Sequence, residues 1–403
     1  MRILYFIPES WPTFRPDIAV LFGKYLAEYG LTVDLATDGD DSGASWNAGR
    51  TLFFRAPAGA VPDTPWRFFH TLTVLLRVRT QKYDAVQVRN MPVHAMFALW
   101  FCRLTGAQFY YWISFPHSEG QIFRAARRGW TAGFRYFLPM MQGHLGKFLL
   151  YKVILKRADH VFVQSARMAS DLAERGVPIA KMTAVPMGVD TTLADPEKIT
   201  GIHDDRLIRK RVVLYLGTFD ERPIEVLLEM AAVARRSIPE LALVLVGDSY
   251  HQSRRDSLHR LAQELGVSDI VVWVGWVSPD LGWRYVRAAE VGVSPVPRGF
   301  LLDSSSPTKV FEYMALGVPV LANDSPAVED IIRESGAGLC VELSGANLGG
   351  ALVSMLSDKV ALKEMAERGR NYVVNSHDYK KLAAETADVY ARLLRSDTRP
   401  IGK

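Results

Sequence analysis

Residues 301–324 read "LLDSSSPTKVFEYMALGVPVLAND", three serines and a proline leading into a Thr-Lys pair, a helical run, a glycine and a short apolar strand. Serine is a good helix N-cap and proline is tolerated in the first helical turn, so Ser305, Ser306 and Pro307 mark the start of a helix over "TKVFEYMALG". The unpaired N–H groups of that turn and the helix dipole favour an anion. Lys309 adds a full positive charge in the same turn, and Glu312, three residues on, lies on nearly the same face. A plainer account of the spacing is an ordinary capped helix with an exposed Lys309–Glu312 pair, worth a few tenths of a kcal/mol.

The helix-then-strand unit is one of many. Working outward, "RVVLYLG" (211–217), "LALVLVGD" (241–248), "IVVWVGW" (270–276), "EVGVSPV" (290–296), "VPVLAND" (318–324) and "AGLCVE" (337–342) are short aliphatic runs between amphipathic segments. Earlier come "RILYFI" (2–7), "TVDLAT" (32–37), "TLFFRA" (51–56), "YDAVQVR" (83–89), "AQFYYWIS" (107–114), "HVFVQS" (160–165) and "MTAVPMG" (182–188). This rhythm is that of parallel sheets buried on both faces, with ligand space beyond the C-terminal ends of the strands. It pauses at the polar, turn-rich "GVDTTLADPEKITGIHDDRLIRK" (188–210), which is the expected linker region. The fold class is therefore α/β with two doubly wound domains in series.

Composition agrees. The chain has 403 residues, 49% of them apolar and 23% charged, enough for two domains with their own cores. Its net charge of +5 is modest, so the placement of charge carries more meaning than the sum. Cys102 and Cys340 cannot form a disulfide framework and suit a reducing compartment. The apolar start "RILYFI" is cut off by Pro8 and Glu9, shorter than the roughly 7–15 residues of a secretory core. The longest other apolar run, "MPVHAMFALWF" (91–101), is about half of the roughly 20 residues that span a bilayer. The expected location is cytoplasmic.

The order of these features resembles glycosyltransferase family 4, the retaining nucleotide-sugar enzymes of GT-B fold. The features are a strand, loop and long helix at the start, "AVPMGVD" (184–190), "VLYLGT" (213–218) and "SSPTKVFEYMALGVPVLAND". The resemblance implies two Rossmann-like domains facing a cleft, the first for the acceptor and the second for the donor. It also implies a last helix, about 377–396, that crosses back onto the first domain. The implied division is 1–195, a linker at 196–210, and 211–376.

In that resemblance the first-turn N–H groups, Thr308, Lys309 and the preceding Ser304 and Ser305 hold a nucleotide diphosphate, and Glu312 takes ribose hydroxyls. The family pattern carries two glutamates with seven residues between them; Glu312 matches the second, Ser304 stands at the first, and Asp303 is one residue short. Backbone amides near 302–305 would then take over the donor-sugar contacts. Relatives carry an arginine after the glycine of "VLYLG"; here the nearest base is Arg222 in "TFDERP". Asp248 ends a strand on the same side and faces nucleotide or linker, with core-edge capping as the alternative; Arg298, in "SPVPRGF" (294–300), meets an anionic sugar or a phosphate, with a plain surface charge as the alternative. Arg222, Lys309 and the helix N-terminus would replace a metal ion, so no cofactor is expected.

In the first domain "PESWPTFRPD" (8–17) stands where relatives have a glycine-rich turn. Arg15 and Asp17 are the acceptor candidates, with helix capping by Asp17 as the alternative. The loop after "YYWISF" offers His117 and then Glu119 as the catalytic candidates, because relatives place a histidine there. From Gly120 to Ala158 there is no Asp or Glu, while Arg124, Arg127, Arg128, Arg135, Lys147, Lys152, Lys156 and Arg157 alternate with Trp130, Phe134, Tyr136, Phe137, Phe148 and Tyr151. Basic and aromatic residues at helical spacing suit an anionic membrane surface; a solvated basic helix pair is the alternative, and no nucleic-acid module accompanies them. The expectation is a hexosyltransferase moving sugar from a UDP- or GDP-sugar to a polyprenyl-diphosphate-linked glycan at the inner face of the cytoplasmic membrane. An epimerase of the same architecture and a non-enzymatic sugar-nucleotide-binding membrane adaptor are the alternatives.

Overall fold

The computed structural model describes residues 1–39, 45–54, 66–299, 302–304 and 306–395, apart from the side chains of residues 54 and 66–68. The chain divides into two compact units, Met1–Met187 with the segment from Tyr379 onward, and Gly188–Asp378.

Among the described residues the first unit carries a seven-stranded parallel sheet in the order β3-β2-β1-β4-β5-β6-β7. The strands are β1 (Arg2–Phe6), β2 (Thr32–Asp38), β3 (Thr51–Phe54), β4 (Ala85–Arg89), β5 (Gln108–Ile113), β6 (His160–Val163) and β7 (Met182–Ala184). Ile3 pairs with Val33 on one side and Ala85 on the other, so β1 is central. Every residue of β4, β5 and β6 is buried, as two-sided helix cover demands of parallel strands. The helix Tyr379–Arg395 packs on this unit: Tyr379, Leu382, Ala383 and Tyr390 join a core with Ile3, Tyr5, Phe22 and Trp112. Tyr390 Oη donates to Gln87 Oε1 at 2.5 Å, and Gln108 Nε2 donates to the Leu393 carbonyl at 3.0 Å. The expected return of the last helix to the first domain is thus present.

Among the described residues the second unit has a six-stranded parallel sheet, β10-β9-β8-β11-β12-β13. Its strands are β8 (Arg211–Leu216), β9 (Leu241–Val246), β10 (Val271–Gly275), β11 (Val291–Ser294), β12 (Val320–Asn323) and β13 (Gly338–Val341). Residues 188–210, expected to hold the linker, belong to this unit. Val189 N–H donates to the His377 carbonyl at 2.9 Å, Thr191 Oγ1 to Asp378 at 2.7 Å, and Arg370 to the Ala194 carbonyl at 2.9 Å. Further along, Ile202 N–H reaches the Arg284 carbonyl. Polar composition here reflects a segment wrapped on a surface by hydrogen bonds, a state that composition does not separate from a free linker.

Candidate functional site

The helix of the opening stretch runs over Thr308–Ala315, at the C-terminal side of the second sheet. Pro307, not a serine, occupies its N-cap and makes no side-chain cap. Val310 N–H turns back onto the Pro307 carbonyl at 3.1 Å, and proline offers no side-chain acceptor to the Thr308 and Lys309 N–H groups of the same turn. Tyr313 fixes the helix to the sheet: its hydroxyl accepts from Leu216 N–H at 2.8 Å and lies 3.3 Å from the Val293 carbonyl.

Lys309 is half-buried against β8. Its Nζ lies 3.9 Å from the Tyr215 ring centroid, over the π face. It also lies 3.1 Å from where a Cβ on Gly217 would sit, a tight approach, and the φ of +139° at Gly217 is what favours glycine there. Burial and then the positive charge of Arg222 push the Lys309 ammonium well below its ordinary value of 10.5, against an opposing pull from Glu312. Arg222 and Lys309 thus face a common region. Among the described residues neither has a carboxylate within ion-pairing distance. Two cations close enough to repel each other, with a helix whose N-cap is a proline, suit an anion of high charge. Glu312 does not pair with Lys309; it accepts from Trp283 Nε1 at 3.1 Å, and burial pushes its carboxyl upward. Ser294 Oγ, ending β11, and Ser325 Oγ, just past β12, are buried with no hydrogen-bond partner among the described residues.

The remaining donor candidates fall around this centre in different ways. Thr308 opens the helix and is half-buried, and Ser304 is buried in the turn before it. Ser305 lies outside the described residues. Asp248 accepts from Ser249 N–H at 2.7 Å and sits 3.8 Å from Arg255. Arg298 is tied to Asp303 at 3.2 Å and Asp324 at 2.9 Å, so its charge is already balanced. Asp220, which the sequence did not single out, orders the loop after β8 by accepting from the Ser249 hydroxyl and, at 2.9 Å, from Tyr250 N–H.

In the first unit the organising residue is Arg89, the last of β4 and fully buried. Its guanidinium lies 2.7 Å from Asp17 and 3.2 Å from Glu9. Asp17 is buried and also meets Gln164 Nε2 at 3.3 Å. Burial pushes the Asp17 carboxyl up, but Arg89 and then Arg15 outweigh it and hold it below 3.8. Asp17 is therefore the counter-ion of Arg89, while Arg15 lies 3.7 Å from both Glu9 and Asp17 and remains part-exposed. Arg89 was not legible from sequence: a base ending a strand normally reads as the point where the chain meets water.

His117 begins the helix His117–Arg128 with its ring edge-on to Phe115 at 5.3 Å. Although the side chain keeps an exposed face, the protein mass around it, then Arg124, Arg15 and Arg89, push its imidazolium down to about 4. Glu119 points elsewhere: it accepts from Tyr151 Oη at 2.7 Å and pairs with Arg175 at 3.2 Å. The structure gathers Arg15, His117 and Arg89 into one electrostatic neighbourhood and places Glu119 in a separate network.

Comparison with known proteins agrees with this geometry. Residues 20–188 match the "Glycosyl transferase 4-like domain" model, and residues 202–372 match "Glycosyl transferases group 1". The chain is 28% identical to the GDP-mannose-dependent alpha-(1-6)-phosphatidylinositol monomannoside mannosyltransferase of Mycobacterium tuberculosis over 65% of this chain and 71% of that protein. It is 31% identical to the lipopolysaccharide core biosynthesis glycosyltransferase LpsE of Rhizobium meliloti over 46% and 50%. The fold is that of Anabaena Alr3699/HepE, solved with UDP, at a TM-score of 0.72 and 13% identity over 97% of this chain and 100% of that one. Two parallel-sheet units with these matches define a glycosyltransferase of GT-B fold. Within that class, the chain belongs with the family 4-like hexosyltransferases.

Proposed function

We propose that the protein is a retaining transferase that moves a hexose from a UDP- or GDP-sugar to a polyprenyl-diphosphate-linked glycan, in exopolysaccharide, capsule or lipopolysaccharide synthesis. The observation that carries the donor half is the convergence of Lys309 and Arg222 beside Gly217 and the proline-led start of the helix Thr308–Ala315. In this reading the diphosphate sits against these charges, and Glu312, steadied by Trp283, accepts from ribose hydroxyls. Negative charge develops on the leaving diphosphate as the glycosidic bond breaks, and fixed cations stabilise it there without a metal ion.

His117 is assigned to the acceptor and the reacting groups. As a neutral imidazole at physiological pH it is a hydrogen-bond partner to a sugar hydroxyl rather than a fixed charge. Glu119 acts as a positioning residue: through Tyr151 and Arg175 it fixes the helix whose first residue is His117. The deprotonated leaving phosphate takes the acceptor proton, in keeping with the absence of an assigned protein base. The relatives named for phosphatidylinositol mannoside and lipopolysaccharide core support a lipid-anchored acceptor. The acid-free basic segment 120–158 supports attachment to an anionic membrane surface, at its cytoplasmic face. Among the described residues no helix is long and apolar enough to cross a membrane.

A titration panel of UDP, GDP and their sugars against wild type, Lys309→Ala and Glu312→Ala tests the donor site. One nucleotide family should bind wild type and lose affinity in both variants. Equal affinity in all three proteins would remove the site.

A further inference from the structure

The helices His117–Arg128 and Phe134–Phe148 form a hairpin joined by a 3₁₀ turn at Trp130–Ala132. The second helix meets the first through glycines. A Cβ on Gly143 would lie 2.6 Å from Ile122 Cγ1, and one on Gly146 would lie 2.6 Å from Ser118 Oγ. Close contact on that side fixes which side faces out. The outward side is apolar: Phe134, Phe137, Met141, Leu145 and Phe148 each expose 52–76% of their surface. At about 100° per residue these five fall within an arc of about 80°. Trp130, at the hairpin tip, and Phe123, on the first helix, are exposed as well. Exposed Arg135, Gln142, His144 and Lys147 border the arc.

A purely electrostatic docking face has no use for this stripe. Basic residues alone would hold the protein at the level of the lipid phosphates, and large exposed apolar side chains in such a face would only lower solubility. Aromatic and aliphatic residues on one side of a helix, basic residues along its margins and no acid form the pattern of a helix lying within the membrane interface. We infer that the outer side of the helix Phe134–Phe148 enters the acyl region of the bilayer, so that the hairpin is an inserted anchor and not only a charged docking surface. Charge complementarity selects the occupant: a second copy of this chain would bring the hairpin's five cations, Arg124, Arg127, Arg128, Arg135 and Lys147, against their own copies, whereas an anionic bilayer neutralises them. The hairpin starts at His117, and its first helix of 12 residues spans about 18 Å. This inference rests on the membrane part of the proposed function and is independent of the donor site.

The test uses the full chain with phosphatidylcholine vesicles, with and without phosphatidylserine, at low and high salt. Lipids brominated along the acyl chain should quench tryptophan fluorescence, and Trp130→Phe should remove most of the quenching. Binding to the mixed vesicles should survive high salt, and the double variant Phe134→Glu/Phe137→Glu should lower partitioning about tenfold or more. Both positions are exposed, and nucleotide titration of the same samples reports the fold and the donor site separately. Sedimentation with vesicles without acyl-chain quenching, or complete release by salt, overturns insertion while leaving the proposed transferase intact. So does unchanged partitioning of the double variant, or a dimer in solution that the double variant dissociates, since the stripe would then belong to a second copy.

Discussion

Replacing Lys309 by methionine separates the two accounts of the Lys309–Glu312 spacing, because they predict opposite signs. Methionine keeps an apolar stem over the Tyr215 ring and removes only the charge. In the free protein that charge is half-buried near Arg222 with no carboxylate paired to it among the described residues, so its removal should leave stability unchanged or raise it. A charge-assisted contact to phosphate contributes about 1.5–3 kcal/mol, so nucleoside diphosphate affinity should fall roughly 10- to 150-fold. Arg222 and the helix N-terminus remain, which is why the loss stops short of abolition. The pH dependence follows the same logic. The folded ammonium has a pKa well below the 10.5 of the unfolded chain, so its cost to stability is full below the folded value and fades as pH rises towards 10.5. A bound diphosphate restores the charge and takes up a proton, so affinity should decline as pH climbs through that interval in wild type and stay flatter in the variant. Isothermal titration with UDP and GDP, together with thermal unfolding of the free proteins, reads both signs. Affinity changed by less than about twofold, or a free variant destabilised by about 1 kcal/mol, would refute the reasoning, since an ordinary exposed pair is worth only a few tenths of a kcal/mol.

Glu312→Ala should weaken the nucleotide about tenfold, the worth of hydrogen bonds to one carboxylate, and should weaken the diphosphate and its sugar alike; calorimetry with both ligands checks this. His117, with its pKa near 4, stays neutral from pH 5.5 to 8, so kcat/KM for the acceptor should show no step near 6.5 assignable to it. A step near 6.5 that His117→Asn removes would contradict the geometry. Arg89→Met should destabilise the first unit by about 3 kcal/mol, because buried Asp17 would lose its counter-ion at 2.7 Å and keep only the part-exposed Arg15 at 3.7 Å and Gln164; urea unfolding measures it. Asp34, held down to about 2 chiefly by hydrogen bonds from Arg50 and Tyr83 against the cost of burial, contributes stability above pH 3.8 that is lost as pH falls through about 2. The wild-type advantage over Asp34→Asn, about 2 kcal/mol at pH 7, should vanish across that window.

The thirteen strands among the described residues were readable as runs because strands covered on both faces have no polar side to interrupt them. The helix Thr308–Ala315 was readable for the opposite reason: proline, lysine and glutamate at fixed offsets interrupt an apolar pattern at one end only. Three features did not show in the sequence. Arg89 looks like any base at a strand end, and only its partner 72 residues earlier, Asp17, makes it a buried ion. Glu119 sits two residues from His117, yet its partners Tyr151 and Arg175 come from 32 and 56 residues away and turn its carboxylate to another purpose. The Arg298 charge is balanced by Asp303 and Asp324, a pairing that needs the loop folded before it exists. The exposed stripe at 134–148 was half legible. Charge and aromatics were visible, but which side faced out depended on Gly143 and Gly146 meeting the first helix of the hairpin.

The central claim is transfer of a hexose from a nucleotide sugar, held by Lys309 and Glu312, to a lipid-linked acceptor. Incubating the purified chain with labelled UDP- and GDP-sugars and a bacterial membrane lipid extract, then extracting into organic solvent, measures this directly. Label from one donor should enter the organic phase with wild type and fall at least about tenfold with Lys309→Met. No consumption of any nucleotide sugar with any membrane extract, or equal transfer by the variant, would contradict the account.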